Sequence, residues 1–160
     1  NSRTKILSLS QSTAQSTSVA AIGVAAHECG HAVQDAVGYS PLKLRAAIVP
    51  VANIGSSLAM PLILIGLLIS GDSGNMIINL GLLAFSMAFV FQLVTLPVEF
   101  NASKRALNIL SEGGLLTKEE VPMARRVLFA AALTYVAAAI ATLLQLLRLV
   151  ILFGNNNRRQ

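Results

Sequence analysis

Three long apolar runs dominate the chain and restrict it to one kind of environment. They cover about residues 46–70, 76–98 and 127–147, and each reaches the roughly 20 residues that a helix needs to cross a bilayer. The first run contains Pro50, Asn53 and Pro61. In a membrane these favour kinks over a break, because neighbouring helices can satisfy the freed carbonyls. Arg148 interrupts the end of the third run, and apolar residues continue to Phe153. Only 12% of residues are charged and 54% are hydrophobic, against about 25% charged in soluble domains. The expected fold is an all-α integral membrane protein, a single domain over residues 1–160.

The net charge of +5 does not point to nucleic acid, because the chain lacks Trp and shows no basic stripe with stacking partners. Basic residues flanking apolar spans act as topology signals. The lone cysteine, Cys29, excludes an internal disulfide. The first residues, Asn1 to Lys5, do not form a signal peptide and include no initiator Met. The expectation is a fragment or processed form that lacks an N-terminal segment.

The N-terminal third is different in character. Thr4–Ser10 alternates Lys5, Leu7 and Leu9 on one face, which predicts a short edge strand to which an extended peptide could add. Residues 11–18 are a Ser/Thr/Gln linker in which Thr17 or Ser18 can cap a helix. That helix is predicted from Val19 to about Ala36, with Gly38 as its stop. Between the second and third runs, residues 99–111 predict a short amphipathic helix ending at Gly113-Gly114. Thr117-Lys-Glu-Glu120 has the form of a capping box, and Pro122 suits the first turn of the last helix.

The chain holds two histidines, His27 and His31, four apart on the predicted helix with Glu28 between them. Residues four apart lie on one helical face. This is the HExxH pattern, in which two imidazoles bind zinc and the glutamate removes a proton from the water that the metal acidifies. One zinc per chain is expected. A catalytic zinc also needs a third protein ligand and an open position. With no third histidine, a carboxylate must serve. Asp35 lies roughly 12 Å along the helix axis from His27, too far to join both histidines, though it could orient His31. Asp72 sits in the loop after the first run, Glu112 beside two glycines, and Glu119 and Glu120 in the cap. Glu99 emerges where the chain has crossed and returned to the histidine side, so it is the expected third ligand. Cys29 is expected to pack and not to ligate. Tyr39 and Arg45 are open candidates for stabilising an oxyanion.

The segments AAHECGHAVQDAVGYSPLKLR and LPVEFNASKRAL resemble the bacterial membrane-bound neutral zinc metallopeptidases, over about Thr4 to Tyr135. These are more distantly similar to the heat-shock and prenyl-protein membrane proteases. The resemblance implies zinc ligands at His27, His31 and Glu99, with Glu28 as catalytic base. In the wider group the third ligand is followed by Ala-Asp, the Asp orienting a histidine; here Glu99 is followed by Phe-Asn-Ala-Ser, so Ser103 stands in that place. Asp35 or Asn101 are further candidates for that orienting role.

The function expected is a zinc-dependent membrane endopeptidase acting on peptide or protein substrates, including membrane proteins. Arg3, Lys5, Lys43, Arg45, Lys104, Arg105, Lys118, Arg125 and Arg126 lie on the motif's side. Arg158 and Arg159 follow the third run, and the Ser70–Asn75 loop has no basic residue. By the positive-inside rule this predicts a multi-pass protein of the bacterial inner membrane with its site facing the cytoplasm. The alternatives are an intramembrane protease, disfavoured because no apolar run contains an acid, and an inactive scaffold that keeps a structural zinc. A di-iron protein would need a second Glu-x-x-His pair, which is absent.

Overall fold

The structure, a computed structural model, describes Asn1 and residues 3–154. Arg158 and Arg159, used above for topology, lie outside the described residues. Among the described residues five helices follow one another: α1 (Gln11–Gln15), α2 (Val19–Ala36), α3 (Ser40–Leu68), α4 (Asp72–Glu112) and α5 (Glu120–Gly154). Helices α3, α4 and α5 are each long and apolar enough to cross a membrane. The protein is an all-α membrane protein. Its exposed surface includes Ile54, Leu64, Leu144 and Ile151, side chains that suit lipid and not water.

Local signals set the helix ends. Ser18 Oγ accepts from the Ala21 N–H at 3.1 Å and caps α2. At the other end Gly38 adopts φ +68°. Tyr39 N–H donates to the Gln34 carbonyl at 2.9 Å and Gly38 N–H to that of Asp35 at 3.2 Å, the paired bonds of a Schellman stop. Before α5, Thr117 N–H donates to Glu120 Oε1 at 3.0 Å and Glu120 N–H to Thr117 Oγ1 at 3.2 Å, a reciprocal capping box.

Three expectations are corrected. No strand forms among the described residues, and Thr4–Ser10 is a turn followed by a stretch that is neither helix nor strand. Lys5 takes φ 54°, and the Asn1 ammonium donates to the Ile6 carbonyl at 2.8 Å, so the segment hooks back on itself. The Ser/Thr/Gln linker contains the single-turn helix α1, capped by Ser10. Finally, residues 99–111 are not a separate helix, because α4 runs through Pro97 to Glu112. Val98, Ala102, Ala106 and Leu110 are all 0% exposed. Their spacing of four puts them on one face, and burial of that face continues past the proline.

The chain divides into two compact units. The first contains Asn1–Leu44 and Thr95–Val136. Its core is Ala26 from α2, Ala106 and Leu110 from α4, Leu116, and Ala124 and Leu128 from α5, with Val19, Ile22, Leu107 and Val121 packed around it. The second contains Arg45–Val94 and the chain from Ala137. There α3 buries a stripe of Ala52, Gly55, Ala59, Ile63 and Gly66. A Cβ on Gly55 would stand 2.7 Å from the Ala84 carbonyl oxygen, so the backbones approach closely through small residues, as helices in lipid do.

Candidate metal centre

The first unit holds every residue of the candidate site. Helix α2 supplies His27, Glu28, His31 and Gln34, and α4 supplies Glu99, Asn101, Ser103 and Arg105. The two helices meet at Gly30. A Cβ there would lie 2.3 Å from the Ala102 carbonyl oxygen, so only glycine permits this approach. The contact brings α2's imidazoles onto the Glu99 carboxylate.

His27 Nε2 lies 2.9 Å from Glu99 Oε2, and His31 Nε2 lies 3.5 Å from the same oxygen. The two rings meet edge-on with centroids 4.7 Å apart. Among the described residues, His27, His31 and Glu99 form a group whose ligand atoms all lie within 4.8 Å of one another. Glu99 is 3% exposed, and a buried carboxylate needs compensating charge or hydrogen bonds.

The opposite ring nitrogens are also held. Ser103 Oγ lies 3.0 Å from His27 Nδ1, and Gln34 Oε1 lies 2.9 Å from His31 Nδ1. Both Nε2 atoms therefore converge on the carboxylate while both Nδ1 atoms are occupied elsewhere. Two imidazoles and a carboxylate form a borderline donor set suited to zinc. The residues fit that ion. Burial opposes the charged form of His31. Hydrogen bonds with Glu99 and Gln34 and the charges of Glu99 and Glu28 outweigh it, so its pKa rises above 6.5.

The other candidates fall in different places. Asp35 forms an ion pair with Lys5 and is not brought to His31, whose Nδ1 is taken by Gln34. Asn101 Oδ1 accepts from Gln34 Nε2 at 3.1 Å and from Arg105 Nε at 2.8 Å. Tyr39 lies under the Arg105 guanidinium, 5.8 Å from ring centre to Cζ. Cys29, expected to pack, is instead exposed, and it lies outside the donor group. Asp72 opens α4, and Glu120 belongs to the capping box. Sequence reasoning missed Gln34 and Arg105. The one available signal was Gln34's place three residues after His31, one turn along the same face.

The sequence profile described as "Putative neutral zinc metallopeptidase" matches residues 1–154, and the chain belongs to that family. It is 46% identical over 151 residues to "Putative membrane protease YugP" of Bacillus subtilis (strain 168). That match covers 94% of this chain and 66% of the relative, so the chain spans just under two thirds of the relative's length. No solved structure matches the chain.

Proposed function

We propose that the chain is a zinc-dependent membrane endopeptidase whose metal is held by His27, His31 and Glu99. The observation that carries this reading is the convergence of His27 Nε2, His31 Nε2 and Glu99 Oε2 within 4.8 Å. Zinc bound there would supply a Lewis acid that brings a water's pKa to about 7 and polarises a peptide carbonyl.

The chain's own groups do the rest. Glu28 follows His27 on the half-buried side of α2 and is not in the donor group. Its carboxylate is therefore free to take a proton from the attacking water and return it to the leaving amine. Ser103 and Gln34 orient the two imidazoles through their Nδ1 atoms.

The name of the relative and the apolar helices support a multi-pass protein of the bacterial inner membrane. The nine basic residues on the motif's side support a cytoplasmic site. Measuring bound zinc in the purified parent and in His27→Ala, His31→Ala and Glu99→Gln tests the ligand assignment. About one zinc per parent chain and a large loss in each variant are expected. Parent-level zinc affinity in Glu99→Gln would remove Glu99 from the set.

A further inference from the structure

Gln34 is 0% exposed, so each of its polar atoms must find a partner inside the protein. All do. Nε2 donates to the Val98 carbonyl at 2.8 Å and to Asn101 Oδ1 at 3.1 Å, and Oε1 faces His31 Nδ1 at 2.9 Å.

An amide can be reversed without changing its shape, so its orientation has to follow from its partners. Here they leave no choice. The Val98 carbonyl accepts only. Arg105 can only donate, and its Nε reaches Asn101 at 2.8 Å, which fixes the Asn101 oxygen on that side. The same oxygen receives Gln34, so the Gln34 nitrogen must point to it. Reversing the amide would set its oxygen against two acceptors and leave both nitrogen hydrogens pointing at His31.

From this we propose that Gln34 is a positioning residue that sets the tautomer of His31: its Oε1 accepts from Nδ1–H and leaves the Nε2 lone pair directed at the metal site. Asn101 and Arg105 act one and two steps further out, by fixing which end of the Gln34 amide faces the ring. The Tyr39 ring beneath the Arg105 guanidinium steadies the outermost donor. The proposal rests on His31 being a ligand. It adds an element that the HExxH pattern does not contain, a glutamine three residues beyond the second histidine.

The geometry at Glu99 agrees. His31 Nε2 is 3.5 Å from Oε2, longer than an N–H···O bond usually runs, whereas His27 Nε2 is 2.9 Å away and is the better-placed donor. In the metal-free protein His27 therefore carries its proton on the site side, and His31 carries its proton on the far side.

Nitrogen-15 NMR of the full chain in nanodiscs tests this, because two histidines give a spectrum that a single His27→Asn variant assigns. In metal-free parent at alkaline pH, His31 is expected with Nδ1 protonated and Nε2 bare. Gln34→Met keeps the volume but removes the acceptor. It is expected to redistribute the proton between the two nitrogens and to weaken zinc binding 10–100-fold in chelator competition. Arg105→Met should shift both readouts in the same direction by less. A proton on Nε2 of His31 in the parent overturns the proposal and needs no variant to fold. Unchanged tautomer and unchanged zinc affinity in a folded Gln34→Met also overturn it. The tautomer is read without metal, so a parent that bound no zinc would refute the peptidase reading and leave the Gln34–His31 result standing.

Discussion

Ser103 Oγ lies 3.0 Å from His27 Nδ1, in the place where the wider group of membrane peptidases carries an aspartate. A hydroxyl can donate or accept, and a carboxylate can only accept. Ser103 can therefore serve His27 in two states. With His27 Nε2–H donating to Glu99 it donates to Nδ1, and with Nε2 given to a metal it accepts from Nδ1–H.

Removing that partner has a defined cost. Ser103→Ala should weaken zinc binding on the order of 10-fold, the lower end of what loss of a ligand's hydrogen-bond partner causes. Ser103→Asp, which favours the metal-binding tautomer, should bind at least as tightly as the parent. Asp35→Asn is the control: Asp35 pairs with an exposed lysine, a contact worth about 0–1 kcal/mol, and zinc affinity should hold. Competition with a zinc chelator measures all three. A loss in Asp35→Asn equal to that in Ser103→Ala would contradict these assignments.

The contact of α2 with α4 gives a second expectation, on stability. Gly30→Ala drives a Cβ to 2.3 Å from the Ala102 carbonyl oxygen. Overpacking of this kind costs about 1–3 kcal/mol, and parting the helices would also part the ligands. Gly23 sits on the same helix, but a Cβ there meets Ala124 Cβ at 3.9 Å, an ordinary contact. Gly23→Ala should keep or raise the Tm, since alanine is favoured over glycine within a helix. Thermal unfolding in detergent with zinc present separates the two, and equal tolerance at both positions would refute the close approach.

Orientation is tested by labelling. A cysteine at Gly74 would collide with the Ile69 carbonyl oxygen, so the exposed neighbour Ser73 is the better probe. Cys29 is itself exposed and must first become serine. Ser73→Cys in that background should react with an impermeant thiol reagent added to intact cells. Reaction only after lysis would place the metal site on the outer face.

The features legible in the sequence were those with local causes. The Ser18 cap, the Gly38 stop, the Thr117–Glu120 box and the apolar runs each rest on residues within a few positions of one another. So does the spacing of His27 and His31. Glu99 was reachable by elimination, by counting crossings and through the family resemblance. The errors came where distant parts decide. The alternation of Lys5, Leu7 and Leu9 suggested a strand, but a strand needs a partner, and Lys5 is drawn instead to Asp35. The polar stretch that follows the second apolar run resembled a boundary, yet the buried face from Val98 to Leu110 carries the helix through. Gln34 was missed because, beyond its place one turn after His31, its role depends on Val98 and Asn101, more than sixty residues away in the chain.

The most direct test is peptide hydrolysis by Glu28→Gln with its zinc content confirmed. Glu28 lies beside the donor group and outside it, so the variant should keep parent-level zinc and lose cleavage by at least the roughly 100-fold that a general base supplies. Cleavage at the parent's rate by the zinc-loaded variant would contradict Glu28 as the base, and loss of zinc would contradict the donor set of His27, His31 and Glu99.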